Sequence, residues 1–185
     1  MDFDYATAIS QAERNFSKAR TKAFWSTLWS RVSGRTDHND LLDFNEVKLK
    51  LRLKDERYLG LQDIPLDQIV GSVGRYQDFT RKFLPKSTVN RDRWKSVDLM
   101  SVERGYPPVE LYKIDDAYFV LDGNHRVSVA RANELDTIEA YVTELKTEVP
   151  FDSSTTAEDL FAKEAYANFL RETRLKSLYP HAEVI

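Results

Sequence analysis

Residues 118–135, YFVLDGNHRVSVARANEL, narrow what this chain can fold into more than any other segment. Tyr118, Phe119, Val120 and Leu121 form a short apolar run of strand type. Asp122-Gly123-Asn124 interrupts it, and Val127, Val129-Ala130 and Leu135 then recur on a helical period. A strand that turns through a glycine straight into a helix belongs to a domain mixing both element types. Upstream, Val109, Leu111 and Lys113-Ile114 alternate, and Asp115-Asp116-Ala117 is turn-like. With 118–121 these residues read as a β-hairpin. Downstream, Ile138, Ala140, Val142 and Leu145 alternate as a further strand. The expected class is α+β, with a small mixed sheet.

Helices are expected at both ends. Tyr5, Ile9, Ala12, Phe16, Ala19 and Ala23 are spaced alternately by four and three, which predicts one helix over 4–32. Phe24, Trp25, Leu28, Trp29 and Val32 broaden that stripe, which is expected to pack on the domain or on a second copy, with a membrane-surface role for the Trp pair as the alternative. Ser33-Gly34 reads as its stop and 35–39 as a polar loop. Residues 43–57 read as a helix with Phe44, Val47 and Leu51 on one face and Asp43 or Asn45 as cap. In IPLDQIV, 64–70, a short strand follows a loop and ends at Gly71 and Gly74. A helix over 91–100 would carry Trp94 and Val97 on one face, although Asp98 and Ser101 stand where apolar residues would help it. After a loop at 151–154, Thr155 and Glu158 read as the capping box of a C-terminal helix with Leu160, Phe161, Phe169 and Leu170. The expected organisation is a helical extension at 1–60, a phosphate-binding domain at 61–150 and a helical segment at 151–185. The final LYPHAEVI lacks a polar tail and reads as a chain that continues.

The 185 residues contain no cysteine, which excludes a disulfide framework, a zinc–thiolate site and a cysteine nucleophile. His38 and His181, two of the three histidines, lie in polar or terminal surroundings that do not suit a multi-histidine metal site. No apolar stretch approaches the roughly 18 residues of a membrane helix, and MDFDYATAIS is no secretion signal. A soluble, cytoplasmic protein without a membrane partner is expected. The net charge of −3 conceals a strong asymmetry. Between 75 and 95 seven bases stand against two acids; between 134 and 164 nine acids stand against two bases. The basic middle favours phosphate-bearing partners, nucleic acid among them.

Chemistry concentrates in the turn at 122–126. Backbone N–H groups at a helix start, with the positive end of its dipole, suit an anion. Arg126 adds a planar fork for phosphate oxygens, His125 a ring donor and Ser128 a hydroxyl. The plainer alternative is an Asx-turn in which Asp122 or Asn124 caps the helix.

In the order of its parts, the stretch 64–145 resembles the ParB/sulfiredoxin-like superfamily. IPLDQIV matches an early strand, PPVELYKIDDAYFVLDGNHRVSVARANE the hairpin, turn and helix, and TIEAYV the closing strand. The resemblance implies a fold in which the turn before the helix holds nucleotide phosphates. Members include CTP-binding partition proteins, ATP-using sulfiredoxin and ADP-using serine kinases. The loop DGNHR is similar to the D-G-x-H-R loops of the kinase-like and nuclease-annotated branches. VGSVGRYQDFTRKF resembles a second phosphate-facing loop, which would bring Arg75 towards Arg126. Asn124 stands where sulfiredoxin needs its cysteine, so that chemistry is excluded. The loop also lacks the arginine pair of partition proteins, and after 145 there is no recognisable helix-turn-helix reader.

Two functions follow. The first is a regulatory nucleotide-binding module for ATP, ADP or CTP, with phosphates held by Gly123, Asn124, His125, Arg126, Ser128 and Arg75. Its N-terminal helix would mediate contact with a partner or a second copy. The second is a phosphotransferase, nuclease or nucleotide hydrolase in which Asp122 binds Mg²⁺ or acts as base and Arg126 stabilises the transferred phosphoryl group. A third possibility is a loop that binds nothing.

Overall fold

The computed structural model describes residues 5–33 and 39–174; the expected helix stop at Gly34, most of the 35–39 loop and the C-terminal LYPHAEVI lie outside the described residues. Among the described residues, eleven α-helices and β-strands follow in the order α1 (Tyr5–Val32), β1 (Leu42–Asp43), α2 (Phe44–Lys50), β2 (Lys54–Pro65), β3 (Ile69–Ser72), α3 (Arg91–Arg104), β4 (Val109–Ile114), β5 (Ala117–Asp122), α4 (Asn124–Ala132), β6 (Thr137–Lys146) and α5 (Asp159–Thr173), with a 3-10 turn at Leu66–Gln68 between β2 and β3. The strands form one six-stranded sheet in the order β1-β3-β5-β4-β6-β2. It is mixed: β1 with β3, β3 with β5 and β4 with β6 are parallel, and β4 with β5 and β2 with β6 are antiparallel. The class is α+β, with a helix at each end of the described chain. No described helix is long and apolar enough to cross a membrane.

Alternation along the strands divides the core between two faces of the sheet. Ile69, Leu111, Tyr118, Val120, Ala140 and Val142 pack on one side, with Phe16 of α1, Trp94 of α3 and Val127 of α4. Val70, Ile114, Ala117, Phe119 and Leu145 face the other, against α2, α5 and Phe151. Gly71 lies within β3 rather than ending it. A Cβ there would sit 2.4 Å from the Phe119 ring and 2.5 Å from the Leu42 carbonyl oxygen, so only glycine lets β1, β3 and β5 approach so closely.

Several local expectations change. The helix read over 43–57 stops at Lys50, capped at its start by Asp43, whose Oδ1 accepts from Asn45 N at 2.9 Å. Arg52 takes a left-handed φ of 52°, and the chain enters β2, which pairs with β6 from Lys54 to Pro65. Residues 42–43 and 54–60, read from sequence with the helical extension, therefore belong to the sheet. The reciprocal bonding expected of Thr155 and Glu158 forms instead between Thr156 and Asp159, at 2.8 Å and 3.3 Å, in the turn that leads into α5, whose N-cap Glu158 makes no side-chain cap. Thr155 is buried and bonded to Asp152.

The stripe on α1 is buried only at Ala12, Phe16, Ala19 and Ala23. Tyr5, Ile9, Trp25 and Trp29 are exposed within this single chain, contrary to packing on the domain itself. The buried side rests on α3 and α4, where Phe16 meets Trp94 edge-on at 5.4 Å. Asp98 of α3 is buried and accepts from Asn15 and Asn133, each at 2.9 Å. A carboxylate is stable at this position, where an apolar residue is the simpler choice, because two amides satisfy its oxygens.

Candidate functional site

Parallel pairing of β3 with β5 carries the loops that follow them to the same edge of the sheet, where sites in sheets of this kind gather. The loop after β3 turns on Ser72, whose Oγ bonds to the backbone of Gly74 and to Val120 O. It leaves Arg75 with a left-handed φ of 58°. The loop after β5 is the single residue Gly123, at φ 109°, ψ 21°, which precedes α4 with no side-chain cap. A Cβ at Gly123 would lie 2.5 Å from Val109 Cγ1, so both the backbone conformation and the space require glycine. The first-turn N–H groups of α4 thus open onto the edge of the sheet with the positive end of the helix dipole.

A cleft of about 190 Å³ lies there, lined by Arg75, Arg93, Val97 and residues 122–126. Six of the seven residues that the sequence points to are among its walls: Arg75, Asp122, Gly123, Asn124, His125 and Arg126. Ser128 is not. It is fully buried, and its Oγ accepts from Trp94 Nε1 at 2.9 Å.

The side chains are committed in ways the sequence does not disclose. Arg126 donates to the carbonyl oxygens of Pro107 (3.2 Å) and Pro108 (2.5 Å) and is ion-paired with Asp122. Its fork is therefore largely engaged in fastening β5 and α4 to the start of β4. His125, expected as a donor into the pocket, is 5% exposed and packs edge-on against Phe79. Its Nε2 lies 3.1 Å from Arg75 Nη1. Since arginine only donates, Nε2 accepts and the proton is on Nδ1, which is buried without a partner among the described residues. Burial, then the charges of Arg75 and Arg93, push the His125 pKa from 6.5 to about 4, against a small opposing effect of Asp78. The ring is neutral at physiological pH and holds Arg75 in place. Asp78 does the same from the other side, accepting from Arg75 Nε at 2.8 Å.

Arg93 is the site residue that sequence reasoning misses. It is exposed on the first turn of α3 and faces the cleft. The only sequence signal for it is its place in the basic run at 75–95. Its position is set by its neighbour: the Trp94–Ser128 hydrogen bond fixes how α3 is rotated against α4. The Asn90 cap, accepting from Arg93 N at 2.8 Å, fixes where α3 begins.

The residues present do not make a Mg²⁺ site by themselves. Asp122, the candidate ligand, is the sole carboxylate among the described residues that line the cleft, and it is paired with Arg126. Among the described residues no three of His, Cys, Asp or Glu gather as a metal cluster. Among the described residues that line the cleft, the three arginines and the first-turn N–H groups of α4 are donors, and Asp122 is the one carboxylate.

No family model matches the chain, and no curated protein matches it. Among solved structures, sulfiredoxin from Arabidopsis thaliana is similar over 46% of this chain and 86% of that one, at 16% identity and a TM-score of 0.37. At that score the likeness carries no argument, and the site stands on its own geometry.

Proposed function

We propose that the cleft at the start of α4 binds the phosphate groups of a nucleotide, ATP, ADP or CTP, and that the chain is a regulatory module of the ParB/sulfiredoxin-like superfamily. The observation that carries this reading is that Arg93, exposed at the cleft, meets Arg75 and the partly engaged Arg126 at a helix N-terminus that no side chain caps. Guanidinium groups and free backbone N–H groups are the donors phosphate oxygens take. No Phe, Tyr or Trp among the described residues lines the cleft, so recognition falls on phosphate rather than on the base. Binding is favoured over catalysis because Asp122 is held by Arg126 and the His125 lone pair by Arg75.

The test is thermal denaturation and calorimetric titration with ATP, ADP, CTP, GTP and inorganic pyrophosphate, each with and without Mg²⁺. A ligand bound only by the folded state raises the melting temperature. The expected result is a rise with at least one of them, and an affinity about tenfold or more weaker in Arg93→Ala. Absence of any shift across the whole set would sink the reading.

A further inference from the structure

Helix α1 carries two apolar faces, of which the fold uses one. At about 100° per residue, Ala12, Phe16, Ala19 and Ala23 fall together on the side buried against α3 and α4. Phe24, Trp25, Leu28, Trp29 and Val32 fall on the opposite side, where Phe24 and Leu28 border a groove shared with Pro85 and Lys86 and Trp25, Trp29 and Val32 lie beyond it. The five are exposed by 61%, 61%, 40%, 75% and 75%, far more than a core residue tolerates. The same outer face nearer the N-terminus is polar, with Ser10, Gln11, Arg14, Ser17 and Thr21, so the apolar patch is confined to the last turns. Four exposed bases border it, Arg20 and Arg31 along one side and Lys18 and Lys22 along the other; Lys22 is ion-paired with Glu134 at 3.5 Å, and no acid occurs in the sequence between 17 and 32.

We infer that this outer face is a docking surface for an anionic lipid bilayer, reversing the expectation of a protein without a membrane partner. Tryptophan, phenylalanine and aliphatic side chains flanked by lysine and arginine on one helix side are what an interfacial helix presents to acyl chains and acidic headgroups. Indole rings, apolar with one N–H, favour the boundary between the two.

Other occupants fit less well. Leu28 and Val32 gain nothing from base stacking, so a nucleic acid would leave two of the five patch residues unused. The patch runs over nine residues, about 13 Å of helix. A second copy packed symmetrically on this face would bring the bordering bases of both chains together. A bilayer sets no minimum area, since attraction grows with each inserted side chain and each neutralised charge. The helix needs no ordering on arrival, because Phe16 against Trp94 and the Asn15–Asp98 hydrogen bond already fix its inner side.

The experiment uses the full chain with phosphatidylcholine vesicles, with and without about a quarter phosphatidylserine. Co-sedimentation and tryptophan fluorescence are read together. Trp94 is fully buried, so an emission shift reports on Trp25 and Trp29. Binding to the phosphatidylserine vesicles with a blue shift, weakened by high salt, is expected. Trp25→Ser/Trp29→Ser should partition about tenfold or more less well, with an unchanged melting temperature because both rings are exposed. Arg20→Glu/Arg31→Glu should abolish the preference for phosphatidylserine. Absence of binding to these vesicles would overturn the inference. So would equal binding to both vesicle types, binding retained by the tryptophan variant, or tryptophan-dependent self-association without vesicle binding.

Discussion

Arg75 donates to Nε2 of His125 at 3.1 Å, across a sequence separation of 50 residues. The contact joins the loop after β3 to the first turn of α4, and it gives the histidine a structural role, in which the ring's lone pair aims a guanidinium at the cleft. Protonating the ring would turn that attraction into repulsion between two cations.

A pH dependence follows from this pair. The His125 pKa is lowered from 6.5 to about 4. Between those values the unfolded chain binds a proton that the folded chain refuses, so stability falls as pH drops. The contribution of the neutral ring is complete above about pH 6.5 and is lost progressively towards pH 4. Urea denaturation at pH 7 and pH 5 should show a larger loss in the wild type than in His125→Gln. Equal losses would mean that the ring titrates normally.

Ser128, by sequence a candidate phosphate donor, is instead the acceptor for Trp94 Nε1. Ser128→Ala leaves a buried indole N–H without its partner, at a cost of about 1–3 kcal/mol in denaturant unfolding. Because the bond sets the rotation of α3, the variant should also weaken pyrophosphate binding through Arg93. A variant with unaltered stability would show that the bond is not formed.

At Gly123, a methyl group meets Val109 and the backbone has φ 109°. Gly123→Ala should destabilise the fold by more than about 1 kcal/mol. Gly74→Ala, where a Cβ meets nothing within 4 Å, is the matching control and should cost much less. Equal melting temperatures for the two variants would contradict the geometry of the turn.

Asp122 separates binding from catalysis. Asp122→Asn removes a negative charge from the mouth of the cleft and frees Arg126 from its ion pair. Anion affinity should be kept or raised, because a carboxylate beside a phosphate is repulsive without a metal between them. Multiple-turnover hydrolysis or phosphoryl transfer by the wild type that disappears in Asp122→Asn would reverse the assignment in favour of an enzyme.

The three strands and one helix from 109 to 146, the α+β class and the helices at both ends are legible in the sequence, because local periodicity and a glycine at a turn are written residue by residue. The run LDGNHR likewise announces a strand entering a helix, and the structure has β5, Gly123 and α4 there. What the sequence does not disclose depends on partners remote in the chain. The first half of β2 is too charged to look like a strand, and it becomes one because β6 offers it a ladder of hydrogen bonds. The parallel pairing of β3 with β5 decides that Arg75 meets His125, and the rotation of α3 decides that Arg93 joins them while Ser128 turns inwards. Trp25 and Trp29 look like core residues in any one-dimensional pattern. They stay outside because α1 can press only one side against the domain, and Ala12, Phe16, Ala19 and Ala23 already fill it. Periodicity records which side chains share a face; only the folded chain decides which face has something to lie on.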